Sequence, residues 1–151
     1  WKQYFDRPTQ IKMKAKYYFR LSAILVLIHL LGHTMGHLGW DKPEDPKMKD
    51  VVDTMKNYSS EFMGATHSMA DYFNGYSIIL IGLLAMSIVL FWILSNHTET
   101  NQKLVNLIAL IIGLGFIFFG TVEYLFFFPF AAIISLIAGI SALIPYFTPS
   151  K

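Results

Sequence analysis

The sequence predicts an all-α fold, a polytopic membrane four-helix bundle with a short amphipathic helix in the periplasmic loop between spans one and two. Composition is the first reason: of 151 residues, 54% are hydrophobic and 15% charged, with a mean hydropathy of +0.47, too apolar for a soluble globule of this size. The second is length. Four apolar runs, 21–38, 76–94, 104–128 and 130–147, can each cross about 30 Å of hydrocarbon. The third is their texture, continuous and rich in Leu, Ile, Ala and Phe, where barrel strands would alternate over about ten residues. Residues 1–151 read as one four-span domain with an outer loop over 39–75.

The first run follows an arm carrying Lys2, Arg7, Lys12, Lys14, Lys16 and Arg20 against Asp6. No small-residue cleavage pattern follows it, so it is expected to remain as a span and not to act as a signal peptide. Opening on Trp1 and not on Met, the chain is expected to lack a few starting residues. The loop 39–75 carries Lys42, Lys47, Lys49 and Lys56 against Asp41, Glu44, Asp45, Asp50, Asp53, Glu61 and Asp71. By the positive-inside rule the arm is cytoplasmic, the acidic loop lies outside, and four spans return the C-terminus with Lys151 to the cytoplasm. The net charge of +2 argues no nucleic-acid partner. With no cysteine in the chain, disulfides, thiolate metal sites and iron–sulfur clusters are excluded.

Within the loop, Pro43 and Pro46 suit a turn followed by a helix start. Val51, Val52, Met55 and Phe62 then recur at roughly helical spacing among charges, as in a short helix lying at the membrane surface. The plain alternative is a packed extracellular cap. The second span runs inward, and "SNHTETNQK" turns the chain at the cytoplasmic side; His97, in that turn, is expected to be solvated or to cap. In "FFFPFAA", Pro129 breaks a very tight hairpin and makes the third and fourth spans antiparallel neighbours.

Ionisable groups collect near the outer face. His29, His33 and His37 in "IHLLGHTMGH" stand four residues apart, a step of about 6 Å along a helix with a rotation of about 40°. His67 and Asp71 repeat the spacing in "HSMAD", and Glu123 is the one charged residue of the third span. Such groups are costly against lipid and normally face the bundle interior with partners. His33, His37, His67 and Asp71 would make a three-nitrogen, one-oxygen set for zinc or another divalent transition metal, with His29 and Glu123 completing a polar cluster and Glu123 a further ligand or a base. Haem ranks lower, because the opposing spans offer no second histidine at depth. The bland alternative is a hydrogen-bonded cluster that fixes helix packing, with Asp71 capping the second span.

Gly32 with Gly36 is a small-xxx-small pair that lets helices approach closely, and Gly113 with Gly120, with Gly115 between them, is expected to do the same on the third span, within the bundle or, on the sharper reading, across a homodimer. The aromatic residues of "FIFFGTVEYLFFFPF" suit lipid-facing and interfacial surface.

"FRLSAILVLIHLLGHTMGHLGW", the "KPEDP" turn, "VVDTM" and "HSMADYFNGYSI" together resemble an uncharacterised family of small bacterial four-span membrane proteins. The resemblance rests on Gly32-His33-Thr34 and on a Ser-x-x-Asp-x-Tyr/Phe-x-Gly stretch, Ser68 to Gly75. It implies an integral protein of the bacterial inner membrane, with the acidic loop in the periplasm, draws attention to His33 and Asp71, and implies no activity. No nucleophile motif or nucleotide-binding loop argues an enzyme. Three functions stay open: a metal-binding or small-polar-ligand protein, an accessory or assembly subunit of a larger membrane complex, and a small proton-coupled carrier, which lacks charged groups in the inner half to continue a path.

Overall fold

The structure is a computed structural model that describes residues 7–147, with side chains from Ala15 onward. Lys2, Asp6 and Lys151, which help to orient the chain, lie outside the described residues. Helix α1 (Arg7–Gly39) leads to α2 (Pro46–Asn57), strands β1 (Ser59–Phe62) and β2 (Ala65–Ser68), and helices α3 (Met69–Asn96), α4 (Gln102–Phe126) and α5 (Pro129–Phe147). Four stretches are long and apolar enough to cross a membrane, Ala15–Gly39, Met69–Asn96, Gln102–Phe126 and Pro129–Phe147, and they mark a helical membrane protein. The chain falls into two compact units: one takes the chain up to His29 together with everything from Leu84 onward, and the other is Leu30–Leu83.

In the first unit, α1 buries Ala15, Phe19, Ser22, Val26 and His29. Their steps of four and three residues are the seam spacing of a helix that packs along its length. The Ser22 hydroxyl crosses to α5, donating to the Ala138 carbonyl at 2.8 Å, with its own Tyr18 carbonyl 3.1 Å away. Arg20 lies over the Trp92 ring of α3, 5.1 Å from its centre. Phe91 of α3 tilts against Phe116 of α4 at 5.7 Å. Over half of α5's apolar window is buried, against about a quarter for the other spans, so α5 is the most enclosed of the four helices.

Small residues explain how α5 is enclosed. Asn101 accepts the Leu104 amide to start α4, and Phe127 ends it. After a two-residue break, Pro129 opens α5, where its missing amide proton costs nothing. The antiparallel pair then meets glycine against glycine: a methyl group added at Gly139 would fall 2.7 Å from the Gly113 carbonyl oxygen, and one at Gly120 would fall 3.0 Å from that of Ala132. The backbones can approach this closely only because no Cβ stands between them.

The second unit begins within α1, at Leu30. Trp40 donates its indole N–H to Asn74 of α3 at 2.9 Å and packs on Phe73 at 4.7 Å. Asp45 caps α2 by accepting the Lys47 amide, with Pro46 at the first helical position. Val52 is its buried residue and Val51 is exposed. Phe62, read from spacing as part of the same helical face, instead stands on β1, exposed. Period counting passed over the reason: Met63 and Gly64 both take positive φ, 53° and 83°, as two-residue hairpin loops of the primed kind require. The turn pairs Phe62 with Ala65 and Ser59 with Ser68, which ends helical continuation after Asn57. Met63 is strained there, 90% exposed and free to be changed. Met63→Asn is expected to strengthen the hairpin by about 0.5–1 kcal/mol and Gly64→Val to weaken it; amide exchange at Glu61 and Thr66 that is unchanged in both variants would contradict this.

Helix α3 starts seven residues before the apolar run at 76. Ser68 and Asp71 form a capping box: the Ser68 amide and hydroxyl both donate to Asp71 Oδ2 at 2.8 Å, and the Asp71 amide donates back to Ser68 Oγ at 3.1 Å. Reciprocal capping satisfies donors that a helix start leaves open, so the Ser-x-x-Asp part of the motif has a structural use. Nearby, Lys56 of α2 pairs with Asp41 at 3.0 Å. The Lys56 hydrogen bond holds the Asp41 carboxyl below the ordinary aspartate range. A lowered carboxyl favours the folded form above the ordinary range, and that advantage fades as pH falls through the lower folded value; at this exposure it is small. An NMR titration should place the Asp41 midpoint lower in the native protein than in Lys56→Met, and equal midpoints would refute the pairing.

Candidate functional site: a buried histidine and glutamate

Three helices of the first unit deliver one polar side chain each to a single point. His29 is the last member of the α1 seam. On α4, Val105, Ala109, Gly113, Phe116, Gly120 and Glu123 are buried at steps of three and four, so Glu123 lies on the face that packs and not on the lipid face. On α5, Ser135 sits among Ala131, Ala132, Ala138 and Gly139, all buried, where small side chains allow α1 to come close.

The result is a chain of hydrogen bonds. His29 Nε2 lies 3.0 Å from Glu123 Oε1, with side-chain exposures of 5% and 6%. His29 Nδ1 lies 3.1 Å from Ser135 Oγ, which is fully buried. The Phe119 ring stacks on the imidazole at 5.8 Å and 18°, fixing its plane. Glu123 Oε2 is enclosed with no hydrogen-bond partner among the described residues. A buried acceptor left open costs on the order of 1–3 kcal/mol, so this oxygen is where a small hydrogen-bond donor is best received.

The arrangement suits two protonation states. With neutral imidazole, Nε2–H donates to Glu123 and the Ser135 hydroxyl donates to Nδ1. With imidazolium, both nitrogens donate, Ser135 becomes an acceptor at Nδ1, and its hydroxyl turns elsewhere. Neither state loses a heavy-atom contact.

The other residues of the expected outer cluster do not gather at one point. His33 Nε2 lies 3.0 Å from Ser77 Oγ and 3.3 Å from the Ser77 carbonyl. His37 Nδ1 is enclosed with no hydrogen-bond partner among the described residues. His67 Nδ1 stands 3.9 Å from Asp71 Oδ2, the oxygen already engaged in the capping box, and its ring lies edge-on to Tyr72 at 5.9 Å. The described residues hold no group of three or more His, Asp or Glu placed to share an ion, so His33, His37, His67 and Asp71 do not form the four-ligand set their spacing suggests. His97 meets the Ile93 carbonyl through Nδ1 at 2.9 Å, on the exposed end of α3.

The glycines divide in the same way. Gly113 and Gly120 face α5 at contact distance, whereas a Cβ at Gly32 or Gly36 would meet nothing within 4 Å. Ser135, Phe119, Ser77 and Gly139 were not singled out from sequence. The available signal for Ser135 was its place in the Ala131, Ala138, Ala142 small-residue spacing of the fourth span, a pattern that marks a close helix approach. No protein-family model matches the chain, and comparison with curated proteins and with solved structures returns no match.

Proposed function

We propose that this chain is a small integral protein of a bacterial inner membrane whose working part is a proton-binding centre, His29 with Glu123 and Ser135. The observation that carries it is the 3.0 Å contact between His29 and Glu123, two ionisable groups at about 5% exposure in helices long enough to span a membrane. Intramembrane pairs of this kind are retained at a cost and commonly serve proton or ligand chemistry. The basic arm on α1 and the acidic loop support cytoplasmic termini, which puts the α4–α5 turn, and Glu123 near it, towards the periplasm. The exposed Val51 face of α2 and its charged neighbours support a helix lying at that surface. Kinship with the small bacterial four-span family belongs to the same proposal, supported by the Gly32-His33-Thr34 and Ser68 to Gly75 stretches.

Proton uptake tests the centre. Protein in lipid vesicles, acidified in a dye-reported step, should take up about one proton fewer as Glu123→Gln or His29→Gln, while Asn96→Ala, at an exposed side chain that does not titrate, serves as the control. Equal uptake in all four proteins would overturn the proposal.

One observation favours a second reading, an accessory subunit within a larger membrane complex. Gly32 and Gly36 face open space, beside exposed Leu31, Met35 and Leu38, as on a helix face that another span covers. Because the chain has no cysteine, Gly36→Cys would place a single thiol on that face. Cross-linking to a distinct membrane protein supports this reading, to a second copy a homodimer, and to neither removes it.

A further inference from the structure

We infer that the outer end of α3 holds a membrane phospholipid whose headgroup ends in an ammonium, such as phosphatidylethanolamine. A groove of about 500 Å³ is lined by His67, Asp71, Tyr72 and Asn74 at one end and by Ile78 and Ile79 at the other. It is distinct from the His29 centre. Its lining changes from polar to apolar along the helix, and helix length places that change at the edge of the bilayer. Helix α3 has 28 residues, about 42 Å at 1.5 Å each, against about 30 Å of hydrocarbon. Some eight residues must therefore extend beyond the hydrocarbon; only Ser95 and Asn96 are polar at the far end, so most of the excess falls at the start of the helix, which puts Asp71 and Asn74 among headgroups while Ile78 and Ile79, both 58% exposed, meet acyl chains.

The groups offered match a zwitterionic headgroup part by part. Asp71 Oδ2 accepts both Ser68 bonds, so Oδ1 is the atom for an ammonium, and the capping box holds it in place. Asn74 spends its amide oxygen on Trp40, which fixes the amide so that its NH₂ group is the end it offers to phosphate oxygens. Lysine and arginine are not among the lining residues, so a headgroup that is anionic without an ammonium would meet the Asp71 carboxylate, with only the His67 imidazole, 3.9 Å from Asp71, to offset it. Tyr72 adds a hydroxyl at the level where tyrosine is favoured in membranes, and the two isoleucines give an acyl chain a wall.

Native mass spectrometry of the detergent-purified full chain, incubated with equal phosphatidylethanolamine and phosphatidylglycerol, tests this. Adducts should favour phosphatidylethanolamine by about fivefold, the upper range for an exposed ion pair. Asp71→Asn, which keeps an oxygen for the Ser68 cap, should remove the preference, and Ile79→Ala, at an exposed side chain, should lower both adducts and keep their ratio. Equal binding of the two lipids by the native chain would overturn the inference whatever the variants do, and so would a preference that survives Asp71→Asn. Neither result bears on proton uptake at His29.

Discussion

His29→Leu, with Glu123 left in place, is expected to lower stability by about 3–5 kcal/mol, because it strands a buried carboxylate. Glu123 is 5% exposed and its Oε2 has no partner among the described residues, so loss of the imidazole would leave both carboxylate oxygens without one. The double variant His29→Leu/Glu123→Leu should recover most of the loss, since apolar pairs of similar volume often replace buried ion pairs without penalty. The size of the single effect separates two descriptions of the contact. Interhelical hydrogen bonds between neutral groups in membranes contribute about 0.6 kcal/mol and at most about 1.7, so a drop below about 2 kcal/mol would make His29–Glu123 an ordinary packing bond. Reversible unfolding in mixed micelles, followed by circular dichroism, gives the three values of the cycle.

Gly139→Ala should be the second most damaging small change, by about 1–3 kcal/mol. Its new methyl would lie 2.7 Å from the Gly113 carbonyl oxygen and 3.0 Å from the Ile117 backbone nitrogen, and backbone cannot rotate away as a side chain can. Gly32→Ala and Gly36→Ala meet open space, and alanine in place of glycine inside a helix is favourable by about 0.5–1 kcal/mol. The same substitution is thus expected to have opposite signs on α1 and α5. Thermal melts of the three variants that move together would contradict the close α4–α5 approach.

The spans were legible because lipid imposes length and apolarity on each segment independently of its neighbours. Helix boundaries were less so. Seven residues at the start of α3 were assigned to the loop because hydropathy falls at Asp71 and Asn74, although Ser68 and Asp71 carry their own capping signal. The hairpin at Met63 and Gly64 was missed for a related reason: a Met at positive φ is unfavourable on its own and is stabilised by the strands it joins.

The candidate site divides along similar lines. Glu123 could be found as the lone charge of its span and His29 by its place on the α1 stripe, but their meeting depends on α4 and α5 packing glycine to glycine, which single-helix spacing does not specify. The four-residue spacing of His33, His37, His67 and Asp71 suggested a shared ion, whereas local partners take these groups first: Ser77 for His33 and the Ser68 cap for Asp71. Spacing places side chains on a face, and what lies opposite decides their chemistry.

The most direct measurement is ¹⁵N NMR of histidine-labelled protein in lipid bilayers, with His29 assigned by its loss in His29→Gln. In the native chain the His29 Nε2 proton should be bonded to a carboxylate, and acidification should add a second proton at Nδ1 while the fold persists. In Glu123→Gln that doubly protonated signal should be lost. A His29 spectrum that is the same with and without the Glu123 carboxylate would contradict a shared proton between them.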